Sequence, residues 1–260
     1  MSATTAAEPT GFADAYTQLR TAQKTSVGAP AYSLYVNRPF GRVLAAEAFQ
    51  LGMTPNQVTL VSAVFTFTGI GLLAVLHPSW WSGLVIAALL VVGYALDSAD
   101  GQLSRLRGGG SMAGEWLDHM FDSAKNTAVH LAVLVSAYRF FPLPGRGWLF
   151  VPIAFTVVSV VTFFGMLLND QLARVHRARH SLPPPAKEGR TPLRTLLKVP
   201  TDYGFLCLSF VLLGVPLLFS GVYALLALGS AGYLAVALRK WFRDTDALDR
   251  FESSAAAARP

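Results

Sequence analysis

The chain has 260 residues, of which 53% are hydrophobic and only 14% charged, with a mean hydropathy of +0.44. Its apolar residues come in long blocks, which excludes a soluble globular domain. The formal net charge is +6, but the basic residues flank those blocks and no basic, aromatic-interleaved surface domain is present. That arrangement excludes nucleic acid as a partner and points to membrane topology and contact with anionic lipid or phosphate.

In chain order, the first thirty or so residues are polar, mixed in charge and without the apolar core of a secretory signal. Residues 1–32 read as a disordered cytoplasmic tail. Over 33–52, Phe40, Val43, Leu44, Ala48 and Leu51 recur at helical spacing, and Pro39 suits a first turn. The spacing predicts an amphipathic helix lying in the cytoplasmic interface. Residues 53–243 form an all-α transmembrane domain, with spans expected at 56–76, 80–99, 115–138, 148–168, 203–220 and 222–240. The last two are divided at Ser220-Gly221, with Pro216 expected to kink the fifth. Cys207 is the only cysteine and lies in an apolar run, so it reads as a small buried hydrophobe. The stretch 181–200, with Pro183-Pro184-Pro185, reads as a basic loop, and residues 244–260 as a cytoplasmic C-terminal tail.

Charge distribution orients the spans. Arg38 and Arg42, then Arg105 and Arg107, then Arg174 to Lys198, then Arg239, Lys240 and Arg243 fall on one side. The connection His77-Pro-Ser-Trp-Trp81 on the other side has neither Lys nor Arg. Both termini are therefore expected in the cytoplasm.

Four aspartates lie at the facing ends of the second and third spans. A carboxylate near hydrocarbon costs roughly 2.5–3.5 kcal/mol on insertion scales, so it rarely stands there without a partner or a task. Asp97 and Asp100 share one helix face, as do Asp118 and Asp122, and an antiparallel pair brings the two faces together. Four such carboxylates cannot all ionise without cations, and hard divalent ions, Mg²⁺ or Mn²⁺, suit oxygen ligands. Two ions on four carboxylates can clamp a phosphoryl group during in-line displacement. Gly101 and Gly114 permit close approach by a ligand or backbone, and Arg105 can pair with phosphate. Gly108-Gly109-Gly110-Ser111 lacks the lysine of a phosphate-binding loop and reads as a turn.

The run from Asp97 to Asp122 resembles the signature of the CDP-alcohol phosphotransferase family, Asp-x2-Asp-Gly-x2-Ala-Arg-x8-Gly-x3-Asp-x3-Asp. It departs at one fixed position, where Ser104 replaces alanine. The wider resemblance, over about residues 33–240, includes the lead-in helix, six spans and the Thr54-Pro55-Asn56-Gln57-Val58-Thr59 entry. It implies a membrane enzyme of phospholipid biosynthesis. Asp97, Asp100 and Asp118 would be principal metal ligands, and Asp122 would be both a ligand and the base. Gly101 would lie near the cytidine and Arg105 would grip the diphosphate of a CDP-linked donor such as CDP-diacylglycerol. The resemblance also implies a homodimer. Asn56 and Thr59 share a face that can touch the nucleotide or diphosphate, or serve helix capping and packing. Lys125, a turn beyond Asp122, can neutralise the aspartates or bind a phosphate of the acceptor, and Arg174 in the basic loop is a second candidate contact for an acceptor, with inositol phosphate or glycerol phosphate foremost. His119 and Glu115 border the site as a solvated face. A divalent-cation transporter and a silent membrane scaffold are the competing readings of the aspartates.

Overall fold

The computed structural model describes residues 9–21, 30–143, 145–183 and 199–257, and among them the only regular structure is helical. Among the described residues eight α-helices follow one another: α1 Phe12–Thr21, α2 Arg38–Gln50, α3 Pro55–Val75, α4 Trp80–Leu106, α5 Met112–Phe140, α6 Phe150–Arg179, α7 Tyr203–Ser209 and α8 Pro216–Ala257. A π-helical turn, Ser33–Asn37, runs straight into α2, and a 3-10 stretch, Phe210–Gly214, continues α7.

Helix starts are written locally. Pro55 opens α3 behind Thr54, whose hydroxyl accepts from the Gln57 N–H at 3.3 Å while Gln57 Oε1 accepts from the Thr54 N–H at 2.8 Å. Ser79 and Ser82 build the same reciprocal cap on α4. Between α4 and α5 the chain reverses through Gly108 and Gly109, at φ +88° and +127°, a region closed to most side chains. Ser111 then caps α5 by accepting from Gly114 N–H.

Among the described residues four helical stretches are long and apolar enough to cross a membrane: Pro55–Val75, Trp80–Leu106, Arg146–Arg179 and Pro216–Phe251. α5 is 29 residues long. It carries Glu115, Asp118, Asp122, Lys125 and Arg139 and falls short of the same apolarity. The expected fifth span is different in form. The helix from Tyr203 ends at Gly214, and α8 begins anew at Pro216 and runs through Ser220-Gly221 without a break. Proline is at home in a first turn, whereas a Ser-Gly pair inside a helix costs only about 1 kcal/mol, so the chain breaks at the proline.

Two further expectations change. The segment expected as a disordered tail contains α1, which seats fully buried Ala15 and Leu19 against Ala45, Ala46, Ala48 and Leu103. The segment after 244 remains helical to Ala257. The helix expected over 33–52 is present, but Phe40, Val43 and Leu51 of its apolar stripe are exposed. Its packed face is made of small residues, Gly41, Ala45 and Ala48, and a Cβ on Gly41 would stand 2.8 Å from Ser98 Cβ on α4. The basic residues Lys187, Arg190, Arg194 and Lys198, with Pro184 and Pro185, lie outside the described residues.

α3 and α4 are pressed together where Gly93 faces Thr66, and Ser62 Oγ donates to the Gly93 carbonyl at 2.8 Å. α7 runs antiparallel to α4, with Tyr203 beside Tyr94 and Gly214 on the Trp80 ring. One apolar core, around Leu73, Leu90, Val133, Phe210 and Phe219, lies on one side of the aspartates along α4. The second core, around Leu19, Ala45, Val58, Ala99 and Leu103, lies on the other.

Candidate metal centre and active site

Helical spacing turns Asp97 and Asp100 toward Asp118 and Asp122, as an antiparallel α4–α5 pair requires. One carboxylate oxygen each from Asp97, Asp100 and Asp118 lie within 4.8 Å of one another. Ligand atoms of Asp118, His119 and Asp122 form a second such group, so Asp118 belongs to both. A set dominated by carboxylate oxygens fits hard divalent cations, and the sharing of Asp118 fits a pair of them.

Neighbouring side chains orient these carboxylates. Thr59 Oγ1 donates to Asp100 Oδ2 at 2.6 Å, tying α3 to α4 at the site. The hydroxyl expected to face the nucleotide thus holds a carboxylate in place. Lys125 is 8% exposed and lies between two of the acids, with Nζ 3.0 Å from Asp97 Oδ1 and 2.5 Å from Asp122 Oδ1. Tyr94 and Tyr203 present ring faces to the same ammonium, at 6.0 and 5.5 Å from their centroids. Arg174 is likewise engaged, 2.8 Å from Glu115 Oε1 and 2.8 Å from Asp170 Oδ2. Both cations assigned to the acceptor are therefore already bonded to carboxylates.

The two glycines of the motif are distinct. A Cβ on Gly101 would come no nearer than 3.4 Å to Arg105 Nη1, leaving an open floor beside that guanidinium. A Cβ on Gly114 would stand 2.9 Å from Asn56 Oδ1, so Gly114 admits the Asn56 carboxamide to the start of α5.

Further residues complete the site, and His119, expected on a solvated face, is one of them. His119 Nδ1 is buried without a hydrogen-bond partner, its Nε2 is 3.8 Å from Glu115, and its ring stands edge-on to Phe163. Its spacing beside Asp118 was the available signal. Tyr94 precedes Asp97 by about one helical turn and is legible in the same way. Tyr203 and Tyr32 are not, because they reach the site from distant segments. Tyr32 stacks on Tyr94, and its N–H donates to Asp202 Oδ2 at 2.8 Å.

A family model for CDP-alcohol phosphatidyltransferase matches residues 52–238. The chain belongs to that family. Two crystal structures of a Mycobacterium tuberculosis phosphatidylinositol phosphate synthase share the fold of this phosphatidyltransferase-family chain. One, in complex with manganese and citrate, aligns with a TM-score of 0.51 at 20% identity, covering 76% of this chain and 87% of that one. The other, with CDP-DAG bound, aligns with a TM-score of 0.54 at 19% identity, covering 80% and 94%. At such identities the likeness concerns the fold alone. No curated protein matches the chain.

Proposed function

We propose that this protein transfers a phosphatidyl, or other phospho-alcohol, group from a CDP-linked donor such as CDP-diacylglycerol to an alcohol, releasing CMP, in phospholipid biosynthesis. The observation that carries this reading is the convergence of the family's four aspartates from α4 and α5 into two ligand groups sharing Asp118. Asp97, Asp100, Asp118 and Asp122 would hold two divalent cations, Mg²⁺ or Mn²⁺, whose charge stabilises the phosphate oxygens during displacement. Arg105 offers its guanidinium to the donor diphosphate across the open floor at Gly101. Asp122 takes the proton of the acceptor hydroxyl as its oxygen bonds to phosphorus and the bond to CMP breaks. Thr59 and Lys125 keep Asp100, Asp97 and Asp122 aimed at that point. Asn56, which lies beside Gly114, would contact the nucleotide.

Six crossings complete the reading: α3, α4, α5, α6, Tyr203–Gly214 and α8, preceded by α2 as an interfacial helix. The exposed Phe40 and Val43 of α2 suit lipid contact. The Lys and Arg distribution supports cytoplasmic termini and a cytoplasmic-facing site. The homodimer rests on the family resemblance. Among acceptors, inositol phosphate and glycerol phosphate head the panel because the region from 174 to 198 is basic.

The test is CMP release by purified protein in lipid with CDP-diacylglycerol, Mg²⁺ or Mn²⁺ and a panel of alcohols. The reading expects metal-dependent CMP release with at least one alcohol. No release with any lipid or soluble CDP donor sinks it, and metal flux into sealed vesicles without a CDP donor favours a transporter.

A further inference from the structure

One face of α8 packs against the rest of the bundle and the opposite face packs against nothing. Tyr223, Ser230, Leu234 and Ala237 are buried, and a Cβ on Gly165 of α6 would touch the Trp241 ring. Half a helical turn away, Leu225, Leu228, Gly232, Val236, Arg239 and Arg243 follow at intervals of three and four residues, which is one continuous stripe. All six are exposed. The stripe therefore points away from the aspartates, on the far side of α8.

Its two ends differ in chemistry. Arg239 and Arg243 close the apolar part of the helix, and with Val236 they line an open groove. Among the described residues neither guanidinium has an ion pair or a side-chain hydrogen bond, whereas Lys240 beside them is paired with Asp244 at 2.8 Å and Arg250 is paired with Asp246. Two like charges one turn apart stand with Cβ atoms about 5–6 Å from each other and weaken a helix until an anion joins them. Below them Gly232 leaves a notch, since a Cβ there would meet nothing within 4 Å. Glycine weakens a helix relative to alanine, and here its own chain gains no close approach from it. From Arg239 down to Leu228 the helix rises about 16 Å, half of a hydrocarbon layer about 30 Å thick.

Three occupants can be weighed. A soluble anion would satisfy the arginines and leave Leu228 and Val236 unused. A second copy inserted the same way and packed through this stripe would set one pair of guanidiniums against the other, a repulsive contact in a two-fold interface. An anionic phospholipid uses the whole stripe. Its phosphodiester accepts from both guanidiniums, and one acyl chain descends over Val236, the Gly232 notch and Leu228. We propose that this outer face of α8 is a binding site for an anionic phospholipid of the surrounding bilayer, with Arg239 and Arg243 holding its phosphate. The site is separate from the metal centre and does not depend on the transfer reading.

The experiment titrates the purified full chain in detergent with phosphatidylglycerol or phosphatidylcholine and reads bound lipid by native mass spectrometry. Wild type should bind phosphatidylglycerol about thirtyfold more tightly, the preference that two arginines supply. Arg239→Gln with Arg243→Gln should abolish that preference, and Lys240→Gln should keep it. Gly232→Leu fills the notch, so it should weaken both lipids and leave their ratio unchanged. Should the double variant fail to fold by thermal unfolding, Arg239→Gln alone carries the test, with an expected loss of about fivefold. Equal binding of the two lipids by wild type overturns the proposal, as does a preference that persists in the double variant. A loss in Lys240→Gln as large as in the double variant would show diffuse attraction and no site. Displacement of phosphatidylglycerol by soluble glycerol phosphate would make this a free-phosphate site and overturn the lipid assignment. A dimer that Gly232→Leu dissociates without weakening lipid binding would put a second copy on the stripe and overturn it too.

Discussion

The α2–α3–α4 side of the bundle and the α5–α6–α8 side differ in what fills the space between their helices. On the first, Gly41, Ala45, Gly69 and Gly93 let helix backbones approach until there is no room for another methyl group. On the second, the bulky rings of Phe155 and Tyr223 meet beside a cavity that Phe155 lines, and α6 turns Val157, Val161, Phe164 and Met166 outward. Close packing transmits position, so the tight side suits residues that must not move, here Asp97, Asp100 and Thr59. The open side suits a molecule that enters and leaves. The pair Asp118 and Asp122 stands where the two meet.

That contrast can be broken at several points. The largest effect belongs to the junction. Asp122→Asn should lower CMP release by about 10²–10⁴-fold while CDP-diacylglycerol still binds, since a general base contributes that much. Turnover near wild type would remove Asp122 from the role of base. Lys125→Met comes next, because breaking one side of a buried ion pair costs about 3–5 kcal/mol. The melting temperature in chelator should fall further than in Mn²⁺, where other cations compensate Asp97 and Asp122. Equal losses in both conditions would mean that Lys125 serves packing alone.

On the tight side, Gly93→Ala pushes a methyl group into Thr66 Oγ1 and should destabilise by about 1–3 kcal/mol. On the open side, Gly232 has nothing within 4 Å of its would-be Cβ. Gly232→Ala should leave stability unchanged or raise it by about 0.5–1 kcal/mol through helix propensity. Thermal unfolding of the two variants side by side measures the contrast, and equal effects would dissolve it.

What the sequence disclosed was local. The Thr54-Pro55 start of α3, the Gly108–Ser111 reversal and the pairing of Asp97 with Asp100 follow from cap chemistry and helical period. The break at Pro216 was misplaced to Ser220-Gly221, because a glycine in a packed helix is tolerated more readily than composition suggests. The face of α2 that packs on α4 was not sought in the sequence. In a membrane protein the larger apolar side chains can face outward, and small residues then mark the contact. Tyr203, Tyr32 and Asp202 could not be found at all. The Tyr32–Asp202 bond joins positions 170 residues apart, and no periodicity reports such a partner.

The hydrogen bond from Ser230 to the Pro200 carbonyl acts as a depth gauge. Between Pro216 and Ser230, α8 rises about 21 Å at 1.5 Å per residue, so Pro200 is held about that far from the Pro216 end. The hydrocarbon layer is about 30 Å thick, whereas Tyr203–Gly214, part α and part 3-10, spans only roughly 20 Å. The anchored carbonyl belongs to a 3-10 turn, Val199–Thr201, that leads into α7. Irregular backbone survives at such depth only when protein satisfies its polar groups. Ser230 does so for Pro200, and Asp202 does so for Tyr32 and Gly204. The short helix α7 is thus pinned at its start by a side chain of α8 and by its own N-cap, Asp202.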